Sequence, residues 1–242
     1  MALNNLDYNQ FQMKWDEVGK KQYENGVKNC VLYKYDSASK KWKGYAWSGI
    51  TSISESPDGA EPNDLWADNV KYATLRSTET FSGSIEAYTY PEEFESCDGL
   101  ARPAGATGIV LGQQKRETFR LCYRTEIGND QDSDAGFKIH LVYNCTCSPS
   151  EKSYETRNDD SDAITFSWDF DTTPVKVTGY KDTSVITIDS TDFTTENETN
   201  LTTLLGVLYG TTGDNATDAY MPDPDEVITI IKTGSVPVKP NP

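Results

Sequence analysis

Ala163-Ile164-Thr165-Phe166-Ser167-Trp168-Asp169-Phe170 alternates small or polar residues with large apolar ones without a slip. A period of two puts Phe166, Trp168 and Phe170 on one side of an extended chain, which predicts a strand with one buried and one wet face. The same pattern recurs upstream. Glu117, Phe119, Leu121, Tyr123, Thr125 and Ile127 form one face of a second strand, opposite Arg116, Thr118, Arg120, Cys122, Arg124 and Glu126. Phe137, Ile139, Leu141 and Tyr143 repeat it on a third, and the polar, glycine-bounded stretch 128–136 joins the two as a long hairpin. Asn25-Gly26 suits a type I′ turn and predicts a hairpin between strands near 17–23 and 27–35. Asp36-Ser37-Ala38-Ser39 predicts a looser turn into a strand at 42–47, and further strands are expected at 50–55, 81–90, 175–180, 184–188 and 227–232.

One segment departs from this period. Leu201, Leu204, Leu205 and Leu208 are spaced as one helical stripe. Thr195-Glu196-Asn197-Glu198 ahead of it reads as a capping box, and Gly210 as a left-handed stop. The expectation is a single amphipathic helix of about three to four turns lying against the sheet. A mostly-β protein with one flanking α-helix follows.

Composition narrows the chemistry. The 242 residues carry 22 Lys+Arg against 38 Asp+Glu, a formal charge of −16. A tight grip on nucleic acid needs clustered bases to displace phosphate counterions, so that class is disfavoured. At 36% hydrophobic residues the chain can bury a core. Met1 to Asp7 has neither a basic nor an apolar leader region, and no stretch reaches the roughly 18–20 apolar residues of a membrane helix, so a soluble chain with no membrane role is expected.

Cys30, Cys97, Cys122, Cys145 and Cys147 are odd in number and lack C-x-x-C spacing, which suits reduced structural thiols. His140 is the only histidine; with no G-x-S-x-G elbow it reads as an exposed strand residue. Asp130-x-Asp132-x-Asp134 opens like a calcium loop but fails at Ala135 and Leu141. No phosphate-cradling glycine motif occurs, and in so acidic a chain paired carboxylates arise by chance. The sequence asks for no cofactor, no metal and no enzymatic activity.

The wording of longer runs carries further. Residues 47–72 (WSGITSISESPDGAEPNDLWADNVKY), 73–94 (ATLRSTETFSGSIEAYTYPEEF), 112–119 (GQQKRETF), 121–128 (LCYRTEIG), 148–152 (SPSEK) and 164–174 (ITFSWDFDTTP) resemble the major tail protein of long-tailed bacteriophages of Gram-positive bacteria. The resemblance lies within 47–174; Cys145-Thr146-Cys147 departs from it, where small non-sulfur residues are expected.

It implies a tail-tube-like β-sandwich or open barrel with one flanking helix. Six copies form a ring, and stacked rings form the tube that conducts DNA from capsid to host without binding it specifically. It further implies a virion-tail location after synthesis in the bacterial cytoplasm, and a tape measure protein, tail terminator and distal tail protein as partners. On this reading residues 1–242 are one tail tube domain, with a flexible arm at about 1–12, an inter-ring loop at about 56–69 and a Pro-rich tail at about 235–242. The wet faces of the best hairpins nominate Ser82, Ser84, Glu86, Arg120, Arg124 and Glu126 for the lumen. The long loop with its aromatic anchor nominates Pro57, Asp58, Pro62, Leu65 and Trp66 for contact between rings. The alternative is a carbohydrate- or surface-binding β-sandwich, a receptor-binding or decoration protein of the same virion.

Overall fold

Phe119, Leu121 and Tyr123 need an apolar partner surface, and Trp168 and Phe170 supply it by folding the sheet over on itself. The computed structural model describes residues 13, 17–59, 61–154, 156, 163–214 and 216–237. Its strands are β1 (Tyr23–Asp36), β2 (Lys41–Trp47), β3 (Ile50–Asp58), β4 (Pro62–Ala67), β5 (Val70–Arg76), β6 (Thr80–Ala87), β7 (Phe119–Gly128), β8 (Gly136–Cys147), β9 (Phe166–Thr172) and β10 (Val185–Asp189). The helices are α1 (Glu198–Tyr209) and α2 (Pro224–Thr233). The expectations placed on residues 1–12 and on 238–242 lie outside the described residues.

An antiparallel sheet runs β2-β1-β7-β8-β9-β6-β3, with β10 also paired to β8. Strand β8 makes the fold-over possible. One of its edges pairs with β7, and the other pairs first with β10 at Lys138–Val142 and then with β9 at Cys145–Cys147. Between the two layers Leu32, Leu121, Val142, Ile85, Trp168 and Phe170 are essentially inaccessible, and the short helical turn Glu92–Phe94 inserts Phe94 beside Trp47 and Trp168. Gly83 on β6 faces this core: a Cβ there would lie 2.4 Å from the Ser54 carbonyl and 2.6 Å from the Phe170 ring, so the layers close only over a bare backbone.

A second core covers the other face of β1, β7 and β8. Val31, Tyr33, Cys122, Leu141 and Tyr143 pack there against Leu204 and Leu208 of α1 and Ile230 of α2. The molecule is therefore helices on a sheet on a sheet, a mostly-β, sandwich-like fold. The tyrosine hydroxyls on the helix side find carbonyls, Tyr33 donating to Leu208 O at 2.7 Å. The five cysteines are free and buried, Cys145 and Cys147 sharing the inter-layer face as strand alternation requires. Burial pushes the Cys97 and Cys122 thiols up to about 12, so they stay protonated.

Several expectations fail for physical reasons. Asn25-Gly26 does not turn the chain: β1 runs through it, and the dipeptide sits at a shift in register against β7, with Gly26 at φ +64°. A positive-φ glycine serves a bulge as well as a hairpin. Residues 227–232, expected as a strand, belong to α2, so two helices flank the sheet rather than one. Pro224 near its start, Asp225 and Glu226 in its first turn, Lys232 in its last and Gly234 as a left-handed cap are helix signals, and Val227, Ile230 and Ile231 keep helical spacing despite their β-branching.

The Thr195 capping box does not form either. Asn197 caps α1 without a side-chain bond to the helix; its Oδ1 accepts from Thr194 N at 2.7 Å instead. Gly210 ends α1 at φ +77° but ψ 165°, outside the left-handed helical region. Residues 175–180 contribute only the bridge Val175–Thr183. Irregular residues near Asp98 and Met221 are bonded down: Lys152 Nζ lies 2.6 Å from Asp98, and Met221, itself buried, donates its N–H to Trp42 O.

His140 is not an exposed strand residue. Its ring stacks on Tyr123 (centroids 4.6 Å apart) in a clasp between Glu24 of β1 and Glu55 of β3. Tyr123 donates its hydroxyl to Glu55, and Lys138 pairs with Glu24 at 2.7 Å. Thr125 and Thr187 complete the ring's surroundings. Burial lowers the His140 pKa, and the two carboxylates only partly offset it. A base that is harder to protonate when folded loses stability as pH falls below its unfolded value of about 6.5. With no other histidine, unfolding free energy should decline between about pH 6.5 and 5 by at most about 1.4 kcal/mol per unit. His140→Gln should flatten that slope in urea titrations; an unchanged slope would place its origin elsewhere.

Candidate functional site

The fold presents two surfaces with marked character, one on β3 and β6 and one on the β4–β5 ribbon that lies between them in the chain. Along β3 and β6, Ile53, Ile85 and Ala87 point inward, so alternation turns Ser52, Ser54, Ser56, Ser82, Ser84 and Glu86 outward. Strand β9 pairs with the far side of β6, setting Asp171 beside Ser82, Asp169 beside Ser84 and Ser167 beside Glu86. The outer face of this three-stranded layer is thus serine and carboxylate, with no basic side chain among these positions. Its hydroxyls are partly spoken for, Ser52 by Glu86 Oε2 (3.1 Å) and Ser82 by the Ser56 carbonyl (2.9 Å). What remains is a short-chained, anionic surface with nothing to grip a phosphate.

The second surface is an arm. Most of the stretch expected as a loop at 56–69 is strand: β3 and β6 end at the pair Asp58–Thr80, and β4 and β5 form a separate two-stranded ribbon from Pro62–Arg76 to Ala67–Val70. Six paired residues extend it by about 20 Å. Pro57 is tolerated because β3 is the sheet's last strand, where a missing N–H costs no bond on the open side. Leu65, Trp66, Val70, Tyr72 and Leu75 are all exposed on this ribbon, Trp66 at 68% and Tyr72 at 76%. Asp64 is held below the usual carboxylate range by Lys71 and Thr74, which stiffens the ribbon locally. Pro57 and Asp58 therefore lie at the end of β3, and Pro62, Leu65 and Trp66 on the ribbon. A single sequence had no register to show that the loop's proline and glycine punctuate paired strands.

The lumen candidates separate into two groups that do not meet. Ser82, Ser84 and Glu86 lie on the serine–carboxylate face. Arg120, Arg124 and Glu126 lie on the opposite side of the sandwich, on the face of β7 that carries Cys122 toward the helices. Arg120 is 4% exposed, its guanidinium between the rings of Trp42 (4.3 Å) and Tyr143 (5.0 Å) and 2.9 Å from Asp223. Arg124 lies on the Phe137 ring at 4.0 Å, and Glu126 pairs with Lys28. Arg120 is thus structural on the part of the face that the helices cover, and Arg124 and Glu126 stay partly exposed farther along the strand. Ser52, Ser54, Ser56, Ser167, Asp169 and Asp171 escaped notice because their membership depends on strand pairing.

A groove of about 940 Å³ opens between α1, the start of β2 and residues 211–220, lined by Lys41, Thr202, Thr203, Asp218 and Tyr220 among others. Its aromatic ring is already engaged, Lys41 Nζ standing 4.0 Å from the Tyr220 centroid. No cluster of His, Cys, Asp or Glu among the described residues could hold a metal ion, and no described helix is long and apolar enough to cross a membrane.

No protein-family model matches the chain, and no curated protein matches it significantly. Among solved structures, a chain from the six-fold symmetrised cryo-EM structure of the anti-feeding prophage baseplate aligns over 73% of this chain and 97% of its own length. The identity is 8% and the TM-score 0.30, a likeness that fixes neither fold nor role.

Proposed function

We propose that this chain is a structural subunit of a phage tail tube, forming six-membered rings that stack around a bore conducting DNA. The observation that carries the reading is the presence of two unlike surfaces: a serine–carboxylate face on β3, β6 and β9, and an apolar arm, the β4–β5 ribbon, between β3 and β6 in the chain. The first suits passage of a polyanion, since short hydroxyl and carboxylate side chains repel phosphate and form no counterion-releasing contacts. The second suits docking, since an exposed aromatic anchor on a hydrogen-bonded ribbon is an economical hot spot. The wording of the runs within residues 47–174, which covers β3 to β6, nearly all of β7 and the whole of β9 but not β8, supports the family assignment.

Assembly must overcome −16 charges per copy, so subunits remain soluble until edge pairing and apolar burial outweigh screened repulsion. The open edge of β3 is the natural place for a neighbour's strand, because closing a ring removes an unpaired edge. Ser82, Ser84 and Glu86 would then line the bore, together with Asp169 and Asp171. The tape measure protein, tail terminator and distal tail protein would cap and fill such a tube.

Negative-stain microscopy of concentrated protein tests the reading: rings or tubes are expected, with more of them at lower charge repulsion in higher salt. Protein that stays monomeric at every concentration, alone or with its virion's own tail initiators, would refute it. Within an assembled tail, Glu86→Lys should leave tubes intact but slow DNA ejection, because a ring of ammonium groups would hold passing phosphates. Ejection at the normal rate would remove Glu86 from the bore.

A further inference from the structure

The geometry points to a specific receiver for the arm: the loop 99–116 of a second copy, so that β4–β5 of one subunit seats on Ile109, Val110 and Leu111 of the next. This deepens the tube reading and rests on it.

Register fixes where the two parts lie. The arm leaves the β3–β6 pair at Asp58–Thr80, whereas the chain leaves the other end of that pair at Ile50–Ala87 and runs through the turn Glu92–Phe94 into the loop. Donor and receiver are therefore at opposite ends of one rigid strand pair, the arrangement a head-to-tail contact needs. Both carry uncovered apolar side chains. On the arm, Leu65 and Leu75 share a ribbon face with Asn63 and Ala73; on the loop, Ile109, Val110 and Leu111 are each at least 40% exposed.

Charge points the same way. Residues 57–79 carry Asp58, Glu61, Asp64, Asp68 and Glu79 against only Lys71 and Arg76. Residues 99–116 carry no acid and, besides Arg102, whose charge Glu95 and Glu92 already balance, Lys115 and Arg116, in a chain with a formal charge of −16. An acidic apolar arm and a basic apolar loop attract each other, while two arms or two loops repel.

The loop is also braced before any partner arrives. Arg102 grips Glu95 through two bonds (2.6 and 2.7 Å), Ala101 and Leu111 exchange backbone bonds, and Gln114 N donates to Gly99 O at 2.9 Å. Such bracing lowers the ordering cost of docking.

Crosslinking tests the contact without touching its apolar residues. Asn63 and Thr107 are exposed and lie beside the two patches, and the five native thiols are buried. Asn63→Cys protein mixed with Thr107→Cys protein and treated with a short bis-maleimide should give one dimer band, and the double variant a ladder. Dimers from either single variant alone would indicate a symmetric contact and overturn the proposal. Tubes visible by microscopy with no crosslink in the mixture would overturn it while leaving the tube reading intact. Absence of both tubes and crosslinks would bring down the two together. Val110→Asp gives the independent check: the ladder is expected to vanish with the subunit's melting temperature unchanged, and a ladder that persists would overturn the assignment.

Discussion

Replacing Trp66 with alanine is expected to yield a subunit that folds normally and no longer builds long tubes. Trp66 is 68% exposed on the β4–β5 ribbon and belongs to neither core, so its loss should change unfolding free energy by less than about 0.5 kcal/mol. A buried aromatic anchor at a protein contact is worth about 2 kcal/mol or more, roughly thirtyfold in affinity at each docked arm. In the proposed ring every arm would be affected at once, so the loss would multiply around it and stacking should fail outright. Tube-length distributions by microscopy, beside thermal melts, separate the two effects. Normal lengths would dismiss Trp66 from the interface, and a lowered melting temperature would show that the arm supports the fold instead.

Arg120→Ala should be the most damaging surface-to-core test on the other side of the molecule, costing about 2–4 kcal/mol. Two causes compete. The guanidinium fills the space between Trp42 and Tyr143, so truncation leaves a cavity and forfeits both ring contacts. It also pairs with Asp223, yet that carboxylate is half exposed and stays hydrated when its partner is removed. The charge itself is costly to hold: burial depresses the Arg120 pKa, and its Nε and Nη1 have no hydrogen-bond partner among the described residues. Packing should therefore dominate. Arg120→Met, which keeps the volume and drops the charge, is expected within about 1 kcal/mol of the parent in urea unfolding. Equal damage from alanine and methionine would show that the ion pair, not the filling, holds α2 to the sheet.

How much of this was legible varies by element, for identifiable reasons. Alternation in β7 and β9 marks the inter-layer core, and the Phe137–Tyr143 set of β8 marks the helix-side core instead, because large apolar residues at a period of two have few uses but burial. The opposite face of β7 reads as wet throughout, yet helices cover it at Arg120 and Cys122, while Arg124 and Glu126 stay partly exposed. Polar type predicts solvent only when no other layer arrives, and that layer comes from residues 198–233, far along the chain.

In α2, β-branched residues concealed a helix whose ends were plainly marked, so propensity lost to capping chemistry. The sequence predicts a loop where the ribbon lies, because Pro57, Gly59 and Pro62 hide the strand pairing on either side of them. The outward placement of Ser82, Ser84 and Glu86 follows from one strand's pattern; that of Asp169 and Asp171 beside them needs the β6–β9 pairing. The clasp around His140 was invisible beforehand, since Glu24, Glu55 and Thr187 come from three separate strands.

The separate ribbon of β4 and β5 has a mechanical consequence. A ribbon of two hydrogen-bonded strands resists stretching along its length but bends readily across its plane, having no third strand or helix to stiffen it. Stacked copies joined through such ribbons would hinge at their joints while each disc stayed rigid, so curvature in a long filament would be shared out among many small tilts. A flexible conduit made of inflexible parts needs only this one slender element.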